Sequence, residues 1–156
     1  MSKKCHKFSC RVYYEDTDLA GVVYYANYLK FIERARSEWI RDLGINQKKM
    51  MVEHRKVFTV RRVEADYLSS AKFDDILLIE TKIEKLTSAR VVVSQDIFIK
   101  GTLIFKAIVT IACVNLCKGV SRIPVTVFEL MSEYKKNNNF YMSYSNMNQK
   151  VIKEYL

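Results

Sequence analysis

The chain is predicted to fold as one α+β domain, an antiparallel sheet with a long helix laid against it. Three observations carry that expectation. Residues 27–44 have the apolar spacing of a long amphipathic helix, and four later stretches have the alternation or β-branched content of strands. The last three of those stretches are joined by very short turns, Thr87-Ser88 and Gly101-Thr102. Strands joined that closely run antiparallel. A helix with a single apolar stripe then has only the sheet to bury it against. A chain of 156 residues suffices for a single core.

Each element follows from its own pattern. Phe8, Cys10, Val12 and Tyr14 alternate with Lys7, Ser9, Arg11 and Tyr13, which predicts a strand over Lys7 to Tyr14. Glu15, Asp16, Thr17 and Asp18 end that pattern as turn residues do. Gly21 permits either a backbone angle or a close approach that a side chain would block. Tyr28, Phe31, Ile32, Ala35, Trp39, Ile40 and Leu43 then form the helix stripe, with Asn27 as expected N-cap and Gly44 as stop. Ile45 to Lys56 is a polar connector, read as a loop or a short helical turn. Val57 to Tyr67 is a strand rich in β-branched and aromatic residues. Tyr67 to Asp75, YLSSAKFDD, is a small-residue loop. Strands follow over Ile76 to Leu86, Arg90 to Lys100 and Leu103 to Asn115. The last is nearly all apolar from Ala107, so both its faces are expected to be covered. Pro124 breaks the strand pattern, and Thr126 is placed to cap a short helix ending near Lys136. Residues 1–136 are thus read as the folded domain and 137–156 as a tail. The tail's Asn, Ser and Lys content points to poor order and its tyrosines to docking on a partner subunit; composition does not decide.

Composition narrows the class. Apolar and charged fractions are 49% and 28%, ordinary for a globular protein. Met1 to Cys10 lacks the apolar run of a signal peptide, and Ala107 to Cys117 is too short to cross a bilayer. A cytoplasmic protein with free thiols is expected, and Cys10 and Cys113 fall on strand patterns as small apolar groups. His6 and His54 have no ligand spacing with a cysteine, so no metal is expected. The net charge is +9, but the basic residues are spread along the chain. Nucleic-acid binding would call for basic residues clustered on one face, so no nucleic-acid partner is expected.

The chemistry points to the first turn. Asp18 lies shortly before a helix N-terminus, which carries free N–H groups and partial positive charge. Such groups can polarise a carbonyl and hold the oxyanion formed on attack. A carboxylate beside them can attack or activate water. From pattern alone the plainer reading is favoured, an Asp that only caps or solvates its turn.

A resemblance shifts that balance. Tyr14-Glu15-Asp16-Thr17-Asp18, Gly21-Val22-Val23-Tyr24, Ala26-Asn27-Tyr28 and Glu33-Arg34-Ala35-Arg36-Ser37-Glu38-Trp39 form a nearly ungapped run. It resembles the hotdog-fold acyl-CoA thioesterases of the 4-hydroxybenzoyl-CoA type, and most closely the bacterial Tol-Pal-associated family. Similarity continues more weakly to about Pro124. The resemblance implies a hotdog fold, an antiparallel sheet wrapped around a long central helix, and hydrolysis of acyl-CoA to free acid and CoA. It implies a catalytic role for Asp18, as nucleophile or general base, and a backbone N–H at Tyr25 that polarises the thioester carbonyl. The Tol-Pal-associated members usually carry His where this chain has Tyr25, whereas the hydroxybenzoyl type has Tyr. The change removes a group that titrates near neutral pH and leaves the backbone N–H.

Gly21, Val22 and Asn27 are carried over as substrate-binding positions, and Ser69, Ser70 and Lys72 as candidates near the pantetheine arm. Arg61 and Arg62 either reach solvent, or touch a coenzyme phosphate, or pair across a subunit interface. Met51 and Val52 either line the acyl pocket or sit at the core edge. CoA is part of the substrate and no separate cofactor is implied. The partners implied are a second or fourth copy of the chain, joined through an exposed sheet edge with the active sites at the joint, together with acyl carrier protein and peripheral contact with the inner membrane. Three rivals stand beside this reading. One is a non-hydrolytic acyl-CoA or acyl-carrier-protein binding module on the same fold. The second is a nucleic-acid or membrane-surface binder. The third is a dehydratase, which would need a histidine near the helix.

Overall fold

The computed structural model describes residues 5–137; the expectations for the tail lie almost entirely outside them. Strand β1 spans His6–Arg11, and a 3-10 turn spans Tyr14–Asp16. Helices α1 (Asn27–Asp42) and α2 (Gln47–His54) follow. Then come β2 (Lys56–Tyr67), β3 (Ile76–Leu86), β4 (Arg90–Ile99), β5 (Thr102–Asn115) and the two-residue β6 (Gly119–Val120). Helix α3 covers residues 125–137. The sheet order is β1-β3-β4-β5-β2, every pairing antiparallel, with β6 against the end of β5.

The alternations place the core. Leu77, Ile79 and Ile83 of β3, Val91, Val93 and Ile97 of β4, and Phe105, Val109 and Cys113 of β5 are buried on one face. The α1 stripe of Tyr28, Phe31, Ile32, Ala35, Trp39 and Ile40 meets them, fully buried or nearly so. Each large side chain removed from water contributes about 1.5–3 kcal/mol, so this layer dominates the fold's stability. Helix α3 closes the core with Val127 and Met131, and Tyr134 reaches the Trp39 ring at 5.9 Å. One polar device crosses the layer. Gln95, fully buried, donates to the Ile32 carbonyl at 2.8 Å and to the Thr81 hydroxyl at 3.0 Å. Its own oxygen accepts from the Arg36 guanidinium at 2.9 Å. Arg36 therefore reaches the sheet, although it is not part of the apolar stripe of α1. Burial lowers its pKa, and Glu33 opposes that.

Several local expectations are corrected. The first strand ends at Arg11, not Tyr14. Val12 exchanges backbone hydrogen bonds with the Asp74–Asp75 segment, and the Tyr13 N–H turns to the Asp16 carboxylate at 2.8 Å. Asn27 is not the cap of α1. Ala26 holds that position with no side-chain bond, and Asn27 is the first helical residue. The connector after Gly44 is a two-turn helix capped by Asn46, which accepts from the Lys49 N–H at 3.0 Å. Met50 is its buried residue, while Met51 and Val52 are exposed. Strand β5 is not covered on both faces along its length, since Ile108 is 38% exposed on the outer side of the sheet. Helix α3 starts directly after Pro124, whose carbonyl accepts from the Phe128 N–H at 2.9 Å. Thr126 therefore lies inside its first turn.

Candidate active site

The junction between β1 and α1 is built on two aspartates with different jobs. Asp16 is buried. Its carboxylate accepts from the Tyr13 N–H, and its carbonyl accepts from both the Tyr24 N–H and the Asn27 side-chain amide, each at 2.9 Å. Asn27 is thus a tether that fixes the start of α1 to the preceding turn. Asp18 is exposed. Its backbone closes the next turn, accepting from Gly21 N–H at 3.0 Å and donating to Val22 carbonyl at 2.9 Å. Gly21 adopts φ +76° there, the left-handed region that glycine enters without steric cost. One carboxylate oxygen of Asp18 accepts from the Ala20 N–H at 2.9 Å. No ion pair engages Asp18 among the described residues.

The loop before β3 supplies the opposite wall. Thr17 bridges Val23, Val22 bridges Lys72, and the Val23 N–H donates to the Ala71 carbonyl at 2.8 Å. The Ala71 N–H in turn donates to the Tyr28 hydroxyl at 2.9 Å. This stitching closes a cleft of about 390 Å³ whose lining includes Asp18, Val22, Tyr25, Tyr28, Tyr67 and Ser69. That volume lies within the usual range for small-molecule sites. Tyr25 sits at the entry to α1, and among the described residues its N–H has no hydrogen-bond acceptor. Asp18, an exposed acid, and Tyr25, whose N–H is free just before α1, thus line one cleft.

A larger hollow of about 740 Å³ lies between α2 and the segment entering α3. Its carboxylate, Glu53, is ion-paired to Lys49 at 3.7 Å, and none of the candidate residues line it. Size alone does not make it the reacting site.

Of the candidate residues, Asp18, Tyr25, Val22, Ser69 and Ser70 meet in the cleft. The others lie elsewhere. Gly21 shapes the turn, and Asn27 is a buried tether. Lys72 pairs with Val22 through the backbone, and its side chain does not line the cleft. Arg61 occupies an irregularity in β2, where the register with β5 shifts between Val60 and Arg62. Arg62 is ion-paired with Glu64 on the exposed surface. The cleft also contains residues the sequence reading assigned elsewhere. The sequence pattern puts Tyr67 where a strand meets the YLSSAKFDD loop and Tyr28 on the helix stripe. The Tyr67 ring meets Tyr28 at 5.5 Å and Phe105 at 5.1 Å, and its hydroxyl donates to the Tyr25 carbonyl at 3.1 Å. Burial raises the Tyr67 phenol, and nearby Tyr25 adds to the shift. Tyr67 as the first residue of the YLSS segment is the available signal, since a strand-end aromatic beside a small-residue loop suits a pocket wall.

Comparison with known proteins bears on this cleft. Residues 20–106 match the family model described as the thioesterase superfamily. The acyl-CoA thioesterase YbgC of Haemophilus influenzae is 42% identical over 111 residues, covering 71% of this chain and 82% of that protein. The acyl-CoA thioester hydrolase YbgC of Escherichia coli O6:H1 is 40% identical, covering 76% of this chain and 88% of that protein. Among solved structures, a probable thioesterase from Bartonella henselae superposes with a TM-score of 0.73 at 38% identity, covering 77% of this chain and 99% of that one.

Proposed function

This chain belongs to the thioesterase superfamily, with the hotdog fold, and is an acyl-CoA thioesterase; we propose that Asp18 and the Tyr25 N–H carry its reaction. The acyl-CoA carbonyl sits at the entry to α1, and the Tyr25 N–H bonds its oxygen. Partial positive charge at the helix N-terminus adds to that pull. Asp18 either attacks the carbonyl carbon, forming a mixed anhydride that water opens, or removes a proton from an attacking water. Both routes expel CoA as a thiolate. A thiol pKa near 8.5 makes that leaving group adequate without a strong acid opposite Asp18. The observation that supports this most is the shared cleft: exposed Asp18 and Tyr25, whose N–H is unpaired, both line it.

The test is release of free thiol from a panel of acetyl-, octanoyl- and benzoyl-CoA. The wild-type chain should hydrolyse at least one of them, and the Asp18→Asn variant should lose about 10²–10⁴-fold in kcat. Near-normal turnover by the variant would refute the role of Asp18. A folded wild-type chain that binds all three and cleaves none would favour the non-hydrolytic binding module.

The same reading makes the chain at least a dimer. Strand β2 is twelve residues long and pairs with β5 along one edge only. Such a free edge invites a second strand, and Tyr67 at its end lines the cleft. A second copy docked there would stand beside the active site. A cytoplasmic location, where acyl-CoA is met, belongs to the same proposal.

A further inference from the structure

We propose that Tyr67 is a positioning residue that aims the Tyr25 amide at the substrate carbonyl; this rests on the thioesterase reading above. Two adjacent peptide groups flank Tyr25. In the first, the Tyr24 carbonyl accepts from the Asn27 N–H at 2.8 Å. A trans peptide points its N–H opposite to its carbonyl, so holding the Tyr24 carbonyl fixes the direction of the Tyr25 N–H. In the second, the Tyr25 carbonyl stands outside the helix ladder. The Leu29 N–H, which would reach it in a regular helix, bonds Ala26 at 3.2 Å instead. The Tyr67 hydroxyl takes its place at 3.1 Å. Both ψ-side and φ-side freedom at Tyr25 are thereby limited, one by α1 itself and one by the end of β2.

The ring of Tyr67 is held for this task. It is register-paired with Phe105 across β2 and β5, and it packs edge-on to Phe105 and Tyr28. Tyr28 and Phe105 are stacked on each other at 5.2 Å. The hydroxyl is therefore carried on a rigid aromatic cluster rather than on a mobile loop. An amide that must meet an oxyanion at bonding distance gains from such support, because small displacements at a reacting centre are costly.

The proposal separates from a wall role by its effect on chemistry. Tyr67→Phe keeps the ring contacts and removes only the hydroxyl. It should lower kcat about tenfold with KM little changed. A second readout avoids turnover. A ketone analogue of octanoyl-CoA, with a methylene replacing the thioester sulfur and ¹³C at the carbonyl, reports polarisation through its NMR shift when bound. In the wild-type chain this signal should move downfield, and in Tyr67→Phe most of that movement should vanish although the analogue still binds. A full downfield movement in Tyr67→Phe, an unchanged kcat, or a change confined to KM would each overturn the role of Tyr67. No movement in the wild-type chain would instead overturn the role of the Tyr25 N–H. Absence of hydrolysis by the wild type would overturn the enzyme reading beneath both.

Discussion

Asp16 and Asp18 are two residues apart and face opposite demands. Asp16 is buried with its carboxylate committed to the Tyr13 N–H, while Asp18 is exposed and leads into the cleft. Substitution should separate them. Asp16→Ala removes a charge-assisted, part-buried hydrogen bond and should cost about 1–3 kcal/mol of stability, read by urea unfolding. Asp18→Asn should leave the unfolding midpoint almost unmoved and remove turnover. Asn27→Ala belongs with Asp16, since its amide holds the Asp16 carbonyl that also receives the Tyr24 N–H. It should lower both stability and kcat. The D-x-D pattern is legible in the sequence and the resemblance singles out Asp18, but residue type and spacing do not divide the labour. Both aspartates read as turn residues, and only burial tells which one faces inward.

Elements show where pattern suffices and where it fails. The α1 stripe and the alternation of β3 and β4 agree with the buried faces almost residue for residue, because one-sided burial leaves a periodic trace. By pattern α1 starts one residue late and α3 two, because Asn27 and Thr126 are good caps by type, yet Asn27 is drawn to the Asp16 carbonyl and α3 begins directly after Pro124. Gln95 sat in an apolar alternation without a visible partner, and its ties to Ile32, Thr81 and Arg36 are long-range. Replacing it with Leu should strand the Arg36 guanidinium and cost about 1–3 kcal/mol, again by urea unfolding. On the outer face of β4, burial raises the Asp96 carboxyl, with Glu80 and Glu84 adding to the rise and Lys82 and Lys106 opposing it. A raised acid holds its proton more tightly when folded, so ionisation weakens the fold as pH rises past the folded value. Asp96→Asn should therefore raise the Tm at pH 7. That gain should disappear at about pH 3, where the carboxyl is protonated in both states. A gain of equal size at both pH values would count against the burial explanation.

At the scale of the whole molecule, the sheet leaves β2 with a free edge and exposed Val60 and Val63. Light scattering at micromolar concentration should give at least twice the mass of one chain, and a monomer would count against pairing through β2. The architecture was readable because its local patterns agree on one answer. The cleft was less so, because its walls come from distant segments: Asp18 and Tyr25 on one side, Tyr67 and Ser69 on the other. Arg61 and Arg62 belong to β2, whose last residue lines the cleft, but lie on its exposed stretch and not in the cleft. The proposed chemistry rests on a single pairing, the Asp18 carboxylate and the Tyr25 amide of one cleft. The most direct check is single-turnover cleavage of bound octanoyl- or benzoyl-CoA by Asp18→Asn, with binding followed by calorimetry. Retained binding with cleavage slowed at least a hundredfold is the expected result; retained binding with cleavage at the wild-type rate would contradict it.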